Sequence, residues 1–182
     1  KIDLGVGVYK DEHGNTHVLN AVKKAEAFRL ENETSKSYIG LAGNLDYCQK
    51  MEQLLLGEHQ ALLANRVRTA QAPGGTGALR VAGEFIKRQL GDVKIWISNP
   101  TWANHNGVIA AAGIETAQYS YYNAETKDKD FAGMVADLEK ASEGDIVLLH
   151  GCCHNPTGID PTTEEWEVLA KLVAEKKLLP LF

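Results

Sequence analysis

Short apolar runs alternate with amphipathic segments along the second half of the chain, and this alternation constrains the fold more than any other feature. Runs of strand character at 93–97, 115–119 and 145–149 are separated by segments whose apolar residues have helical spacing. Apolar runs of this length are typical of strands that are buried on both faces. Because strands joined by helices form right-handed crossovers, the sequence predicts an α/β fold with a mainly parallel sheet.

The predicted elements extend this pattern to both sides. The predicted helices cover 21–31, 46–56, a stretch from 79 onward, 104–112, 131–141 and 163–176. The predicted strands cover 93–97, 115–119, 145–149 and 178–182. Gly57 is a plausible stop for the second helix. Acidic Glu164 and Glu165 in the first turn of the last helix suit its dipole.

The segment that follows the apolar run 146–149 indicates a binding site. Residues 150–158 read HGCCHNPTG. Residues just past the carboxyl end of a parallel strand lie where open α/β sheets bind their ligands. Asn155 precedes a proline, so its peptide bond could be cis and would aim the amide side chain into that crevice. The same residues could instead form an ordinary strand-to-loop turn with an Asx motif.

Two further segments favour the binding site. Residues 73–79, PGGTGAL, place a glycine-rich loop at a helix N-terminus, where free amides and the helix dipole attract anions. Residues 98–105, SNPTWANH, follow a predicted strand and add the aromatic plane of Trp102 and the imidazole of His105. Together the three segments predict a pocket for a planar, phosphorylated ligand. Taken singly, the glycine loop could be only a turn and Trp102 could be a core residue.

Charge, hydropathy and cysteine content limit the other classes of partner. The 182 residues carry a net charge of -5 and no basic run, which speaks against nucleic acid. No stretch approaches the roughly 18 consecutive apolar residues of a membrane span, and the N-terminus lacks a signal pattern. We therefore expect neither nucleic acid nor a membrane as a partner.

The cysteines indicate a compartment and, at first sight, a metal site. An odd number of cysteines, three, suggests a reducing, cytoplasmic setting. His150, Cys152, Cys153 and His154 are possible metal ligands by residue type. Neighbours in an extended strand point to opposite faces, however, so Cys152 and Cys153 would not easily bind one ion. We predict no metal site.

With these motifs in this order, the chain resembles the class I aminotransferases, which are fold type I pyridoxal-phosphate enzymes, and among them the bacterial aspartate aminotransferases most. The resemblance is carried by residues 3–10 (DLGVGVYK), 38–40 (YIG), the glycine loop, 99–102 (NPTW) and 150–162. It implies a three-layer α/β/α large domain over 38–182, incomplete in this chain. It also implies that 1–37 belong to the small domain or its linker.

The resemblance implies pyridoxal 5'-phosphate as the cofactor. The residues that would bind it are Gly74, Gly75, Thr76, Trp102, His105, Asn155 and, from a neighbouring subunit, Tyr38. The glycine-loop residues would hold the phosphate, Trp102 would stack on the ring, and Asn155 would hydrogen-bond its phenolic oxygen. His105 would orient an aspartate that pairs with the ring nitrogen. Alternatively, His105 could only cap a helix.

The resemblance also implies substrate contacts and a homodimer with shared active sites. Gly7 would lie beside the substrate carboxylate, and Trp102 and Asn155 would contact the substrate as well. Tyr38 would reach the phosphate of the partner subunit, although it could equally be an ordinary half-buried tyrosine. The small-molecule partners would be amino acids and 2-oxo acids.

The implied reaction is amino-group transfer between L-aspartate and 2-oxoglutarate, giving oxaloacetate and L-glutamate. In the family, the lysine that binds the cofactor covalently and the ring-nitrogen aspartate follow the position of Phe182, so no catalytic residue is assigned in this chain. We expect the chain to be part of a longer enzyme and residues 1–182 alone to be inactive. Two alternatives stay open: an aromatic amino-acid aminotransferase of the same fold, and a non-catalytic, truncated cofactor-binding module.

Overall fold

The computed structural model describes residues 7–182, apart from the side chains of residues 60 and 62, and divides the chain into two compact units. The first unit ends at Leu41, and the second spans Ala42–Phe182. The boundary at 37/38 that the resemblance implied stays a prediction, and Tyr38 lies in the first unit. The described part of the first unit contains helix α1, Asn20–Asn32, and none of the residues of this helix is buried.

The second unit contains the alternating elements that the sequence predicted. Its helices are α2 (Leu45–Leu56), α3 (Gln60–Leu63), α4 (Gly74–Leu90), α5 (Asn104–Ala111), α6 (Phe131–Leu138) and α7 (Thr163–Glu175). Its strands are β1 (Lys94–Asn99), β2 (Glu115–Ser120), β3 (Tyr122–Asn123), β4 (Asp128–Lys129), β5 (Ile146–Leu148) and β6 (Leu179–Leu181). The short strands β3 and β4 form an antiparallel hairpin.

The main sheet has four parallel strands in the order β2-β1-β5-β6. The chain goes from β1 to β2 on one side and then returns to place β5 on the other side of β1. The winding direction therefore reverses between β1 and β5, which creates a crevice at the carboxyl ends of these two strands. Ligands of open α/β sheets bind in such a crevice.

Side-chain alternation along the strands builds three layers. Ile95 and Ile97 of β1 pack with Ile86 of α4 and Ile109 of α5 on one face of the sheet. On the other face, Val147 and Leu149 pack with Met134 and Leu138 of α6 and Leu169 of α7. Burying each of these aliphatic side chains stabilises the fold by about 1.5–3 kcal/mol. The architecture is the predicted α/β/α arrangement with a parallel sheet.

Asp145 fixes the amino ends of β1 and β5 relative to each other. Its carboxylate accepts hydrogen bonds from the backbone amide of Lys94 (3.1 Å), the indole Nε1 of Trp96 (3.0 Å) and the amide of Ser142 (3.0 Å). Burial alone would raise the pKa of this carboxyl group, yet the three donors together lower it. The carboxylate therefore stays charged, and its bonds hold the register of the two strands.

Candidate functional site

A cavity of about 440 Å³ lies at the carboxyl ends of β1 and β5, in the crevice where the strand order reverses. Leu148 and Leu181 from the strands and Leu79 and Ala82 from α4 line its apolar part. The other residues that line it include Gly75, Trp102, His105, His150, Cys152, Asn155 and Phe182. Four of these residues, Gly75, Trp102, His105 and Asn155, were predicted as site residues from the sequence.

The glycine segment forms the first turn of α4, not a loop before it, because the helix begins at Gly74. Gly74 has a φ of +70°, a conformation that favours glycine, and its amide bonds to the carbonyl of Ala72 at 3.0 Å. Gly75 lines the cavity, and a Cβ built on it would meet no atom within 4 Å. Packing within the described chain therefore does not require a glycine at position 75.

The amides of Gly75 and Thr76 are the groups of this turn that can bind an anion. The first N–H groups of a helix have no partner inside the helix. Within residues 7–182, nothing accepts a hydrogen bond from these two amides. They stand at the positive end of a 17-residue helix, and the Thr76 hydroxyl lies beside them. This end of the cavity can therefore hold a phosphate or carboxylate group.

Trp102 and Asn155 reach the cavity from the loops that follow β1 and β5. Trp102 is half-buried and meets the ring of His105 edge to face, at 5.3 Å between centroids. Asn155 is exposed to the cavity, and the peptide bond between Asn155 and Pro156 is cis, as the sequence allowed. The indole offers a flat apolar surface and the amide offers hydrogen-bond donors. The two side chains suit a planar ligand with polar substituents.

A chain of hydrogen bonds behind the cavity determines where His105 carries its proton. The backbone amide of Asn155 donates to Nδ1 of His150 (3.1 Å), so that nitrogen is unprotonated. Burial lowers the pKa of both His150 and His105 and keeps the two rings neutral. The proton of His150 is then on Nε2, which contacts the Thr101 hydroxyl at 3.3 Å. The same hydroxyl bonds to Nδ1 of His105 at 2.8 Å.

The donors in this series of hydrogen bonds determine the tautomer of His105. The Thr101 oxygen accepts from His150 and donates its own proton to Nδ1 of His105. The remaining proton of His105 is consequently on Nε2. Among residues 7–182, no group accepts from this Nε2. His105 is therefore prepared to donate one hydrogen bond to an acceptor outside the described residues, a more specific arrangement than a helix cap.

His154 lies beneath His150 and is fully buried. Its ring is stacked between those of Tyr121, at 3.7 Å, and His150, at 4.1 Å. Its nitrogens bond to the hydroxyls of Ser98 and Thr157, both at 2.9 Å. Burial lowers the pKa of His154 to about 4, so the ring is neutral at neutral pH. Burial also raises the pKa of Tyr121 to about 12.

Sequence reasoning missed the roles of Thr101, His150 and His154. The two histidines were weighed only as metal ligands, and among the described residues no group of three or more such side chains could hold an ion. A signal was available, because Thr101 and His150 both follow buried strands that were predicted to be parallel. Residues after neighbouring parallel strands meet at the same edge of a sheet.

Two predicted site residues, Gly7 and Tyr38, lie in the first unit. Gly7 and Tyr38 are exposed in that unit, the latter completely. Their predicted contacts with the substrate and with a neighbouring phosphate stay predictions. None of the helices between residues 7 and 182 has both the length and the apolar character that a membrane span needs.

A crevice at a switch point, a helix N-terminus with free amides and a flat aromatic surface are features of the class of α/β proteins that bind phosphorylated ligands. Comparison with known families specifies this class further. The family described as aminotransferase class I and II matches residues 1–182. The chain belongs to this family.

Individual relatives and solved structures agree with the family assignment. The chain is 54% identical to the aspartate aminotransferase of Salmonella typhi, over all of this chain and 46% of the relative. It is 45% identical to the aromatic-amino-acid aminotransferase of Paracoccus denitrificans, over all of this chain and 45% of the relative. An aromatic-amino-acid aminotransferase from Burkholderia pseudomallei, covalently bound to pyridoxal phosphate, superposes with a TM-score of 0.93 at 42% identity. That superposition covers 97% of this chain and 45% of the other, so the chain spans about half the length of its relatives.

Proposed function

We propose that this chain is the cofactor-binding part of a pyridoxal-phosphate-dependent aminotransferase that converts L-aspartate and 2-oxoglutarate into oxaloacetate and L-glutamate. The observation that carries the proposal is the convergence of the α4 N-terminus, Trp102, His105 and Asn155 on one cavity of about 440 Å³. Membership of the aminotransferase family supports the reaction class. The higher identity to an aspartate aminotransferase than to an aromatic one supports the choice of aspartate.

The donor set at the cavity fits pyridoxal phosphate. The cofactor is a flat pyridine ring with one phosphate, one phenolic oxygen and one ring nitrogen. The amides of Gly75 and Thr76, together with the Thr76 hydroxyl, would hold the phosphate. The amide of Gly74 is already bonded to the carbonyl of Ala72. Gly74 would therefore contribute through its positive φ, which turns the chain into α4. Trp102 would contact the ring, and the Asn155 amide would donate to the phenolic oxygen.

The protein's contribution to the reaction is to bind, orient and set protonation. When bound, pyridoxal phosphate supplies a conjugated ring that draws electron density from the Cα of the amino acid. The proton held on Nε2 of His105 would fix an acidic group beside the ring nitrogen. A hydrogen bond from Asn155 favours the charged form of the phenolic oxygen and lowers its pKa. The apolar floor of Leu148 and Leu181 keeps water from one side of the cavity.

The direct test uses the full-length gene product. We expect a visible absorbance band of bound cofactor, and exchange of amino groups between aspartate and 2-oxoglutarate. A Thr76→Val variant should lose cofactor affinity, because a hydroxyl donor is replaced by a methyl group of similar size. Thr163→Val, an exposed position far along the chain on α7, is the matched control. Full-length protein that shows no such band when supplied with cofactor would refute the proposal.

An aromatic amino-acid aminotransferase is the second candidate, because such enzymes are among the close structural neighbours. Parallel assays with aspartate, phenylalanine and tyrosine distinguish the two. A kcat/KM for aspartate well above that for the aromatic substrates supports the first candidate, and the reverse order supports the second. Binding of cofactor without turnover of any of them would leave a non-catalytic binding module.

We further propose that the enzyme is a homodimer with shared active sites and acts in the cytoplasm. Tyr38 would contact the phosphate bound by the partner subunit, and Gly7 would lie beside the substrate carboxylate. The complete exposure of the Tyr38 side chain in the first unit supports a contact outside that unit. Free thiols at Cys48, Cys152 and Cys153 support a reducing compartment.

A further inference from the structure

His154 has every polar group engaged, although it lies outside the cavity lining. Its ring nitrogens bond to the hydroxyls of Ser98 and Thr157. Its backbone amide donates to Asp160 (2.8 Å), and its carbonyl accepts from the amide of Gly158 (2.7 Å). Only 1% of the residue is exposed. The ring is therefore held in one position by the end of β1 and by the loop after β5.

Within residues 7–182, the ring nitrogens of His150 make two hydrogen bonds, both in the plane of the ring. The distances are 3.1 Å from the Asn155 amide and 3.3 Å to the Thr101 hydroxyl. A quarter-turn of the ring about its Cβ–Cγ bond would move both nitrogens out of line with these partners, and both bonds would be lost. The two hydrogen bonds therefore depend on the plane in which the ring is held.

The flat contact that His150 receives comes from His154. Among the described residues, His154 is the only ring that stacks on His150, with an interplanar angle of 24°. His105 meets His150 edge to face, at 85°, and is not stacked on it. Tyr121 stacks on the opposite face of His154, at 9°. The three stacked rings Tyr121, His154 and His150 thus run from the core to the hydrogen-bond chain behind the cavity.

We propose that His154 is a positioning residue: its stacked ring holds the plane of His150, and thereby fixes which nitrogen of His105 carries the proton that faces the cofactor site. The part of this proposal that concerns His105 rests on the proposed function, because the proton of His105 needs an acceptor beside the cofactor. The part that concerns the stacking of His154 on His150 involves only side chains of this chain. His154 also directly precedes Asn155, so the residue that supplies the stacked plane adjoins the amide that His150 accepts from.

A matched pair of variants separates the ring from its hydrogen bonds. His154→Phe keeps a flat ring, and His154→Leu has none, while both lose the bonds to Ser98 and Thr157. The backbone bonds to Asp160 and Gly158 are available to both variants. Tyr121→Phe keeps the outer ring of the stack and removes only the hydrogen bond of its hydroxyl to the carbonyl of Ile159. It serves as the control for general loosening of this region.

The measurement is the tautomer of each imidazole, from long-range proton–nitrogen NMR spectra of the 15N-labelled full-length protein. Assignments come from His150→Gln and His105→Gln. In the wild type, His150 and His105 should each show one protonated Nε2 and one unprotonated Nδ1. We expect the same pattern in His154→Phe and Tyr121→Phe. In His154→Leu, the separate nitrogen signals of both rings should merge toward averaged positions.

The outcomes decide the proposal in either direction. If Phe and Leu at position 154 both keep the wild-type tautomers, or both lose them, the stacked ring is not what positions His150 and the proposal is wrong. If His154→Leu does not fold, His154→Gln replaces it as the ringless variant under the same criteria. If neither ringless variant folds, His154→Phe decides alone: retained tautomers support the proposal and lost tautomers overturn it.

The experiment also separates this inference from the proposed function. The spectra are recorded on cofactor-free protein, so they do not depend on binding or turnover. Protein that fails to bind pyridoxal phosphate but shows the expected Phe and Leu spectra would refute the proposed function and retain the positioning role. Protein that transfers amino groups, but whose His150 tautomers are unchanged in every folded variant, would support the proposed function and refute the positioning role.

Discussion

Three histidines lie in one cluster that is joined by hydrogen bonds and by ring stacking, yet each ring is bonded to different partners. His105 accepts from Thr101, His150 accepts from the Asn155 amide, and His154 bonds to two hydroxyls. Burial lowers the pKa of all three rings, so neutral imidazoles with defined tautomers occupy the back of the cavity. At the scale of single residues, the site is therefore organised by proton positions rather than by charges.

The first residue-scale prediction concerns Trp102. Losing an aromatic contact typically costs about 0.5–1.5 kcal/mol beyond the area buried, so Trp102→Ala should weaken cofactor affinity about tenfold. Trp102→Phe keeps a flat ring and should stay within about threefold of the wild type. Affinity is measured by titration of the apoprotein, and melting temperatures of apo and holo forms are compared. An equal loss of melting temperature in both forms of both variants would indicate a core tryptophan instead.

The second residue-scale prediction concerns stability as a function of pH. Unfolded histidine binds a proton below about pH 6.5, whereas native His154, with its pKa lowered to about 4, does not. Because the unfolded state then binds more protons, the free energy of unfolding should fall as the pH is lowered from 7 to 5. The titratable groups that face this ring are Asp160, His150 and Tyr121, and none of them is substituted in the variant used below.

The test of this pH dependence is urea denaturation of the wild type and His154→Leu at both pH values. The leucine does not titrate in either state, so the variant should lose less stability between pH 7 and pH 5. His13→Gln, which replaces an exposed imidazole in the first unit, is the control for the loss of a histidine elsewhere in the chain. An unchanged difference in His154→Leu would mean that native His154 is protonated in this range.

At the scale of elements, the two helices on the cavity side of the sheet pack closely at a glycine. A Cβ added to Gly83 of α4 would lie 2.9 Å from Cβ of Ala112, directly after α5. The glycine therefore lets α4 lie against α5, and the position of α4 in turn places its N-terminal amides at the cavity. By contrast, a Cβ added to Gly107 on α5 would meet no atom within 4 Å.

The element-scale prediction uses these two glycines as a matched pair. Alanine is a better helix former than glycine by about 1 kcal/mol, so Gly107→Ala should stabilise the protein by up to that amount. Gly83→Ala gains the same propensity but overpacks a buried contact, which typically costs about 1–3 kcal/mol, so it should be neutral to destabilising. Urea denaturation measures both. Equal stabilisation by the two substitutions would show that α4 moves away from α5 without cost.

The predictability of the elements follows from how many residues specify each one. Apolar runs such as 146–149 predicted their strands because both faces are buried. Helix α3 and the hairpin β3–β4 were missed, since elements of four and two residues are too short to show a periodicity. The first turn of α4 was predicted as a loop, because Gly74 and Gly75 disfavour helix and only tertiary context overrides that preference.

At the scale of the whole molecule, the outline of the candidate site could be predicted from the sequence, but the contacts between its residues could not. Gly75, Trp102 and Asn155 were found because each belongs to a local motif. The bond between Thr101 and His150 joins residues 49 positions apart, and no local spacing encodes it. The roles proposed for Gly7 and Tyr38 would depend on contacts between units and between subunits, which no local sequence motif encodes.

The molecule-scale prediction tests whether active sites are shared between subunits. Tyr38→Ala and Trp102→Ala variants of the full-length protein are each expected to have low activity. In a mixed dimer, one site would carry both substitutions and the other neither, so mixing should restore activity to about a quarter of the wild type. Partial unfolding and refolding of the mixture allows exchange, and each variant treated alone is the control. No recovery at any mixing ratio would argue against shared sites.

The carboxylate of Asp145 has a consequence for how this protein can change. It ties β1 to β5 at the amino ends of the strands, whereas the cavity, Trp102 and Asn155 all lie at the opposite ends. The hydrogen bonds that hold the sheet together are thus one strand length away from the residues that would contact the ligand. Randomising the cavity rim should therefore yield many well-folded variants with altered substrate preference, while random changes around Asp145 should yield few.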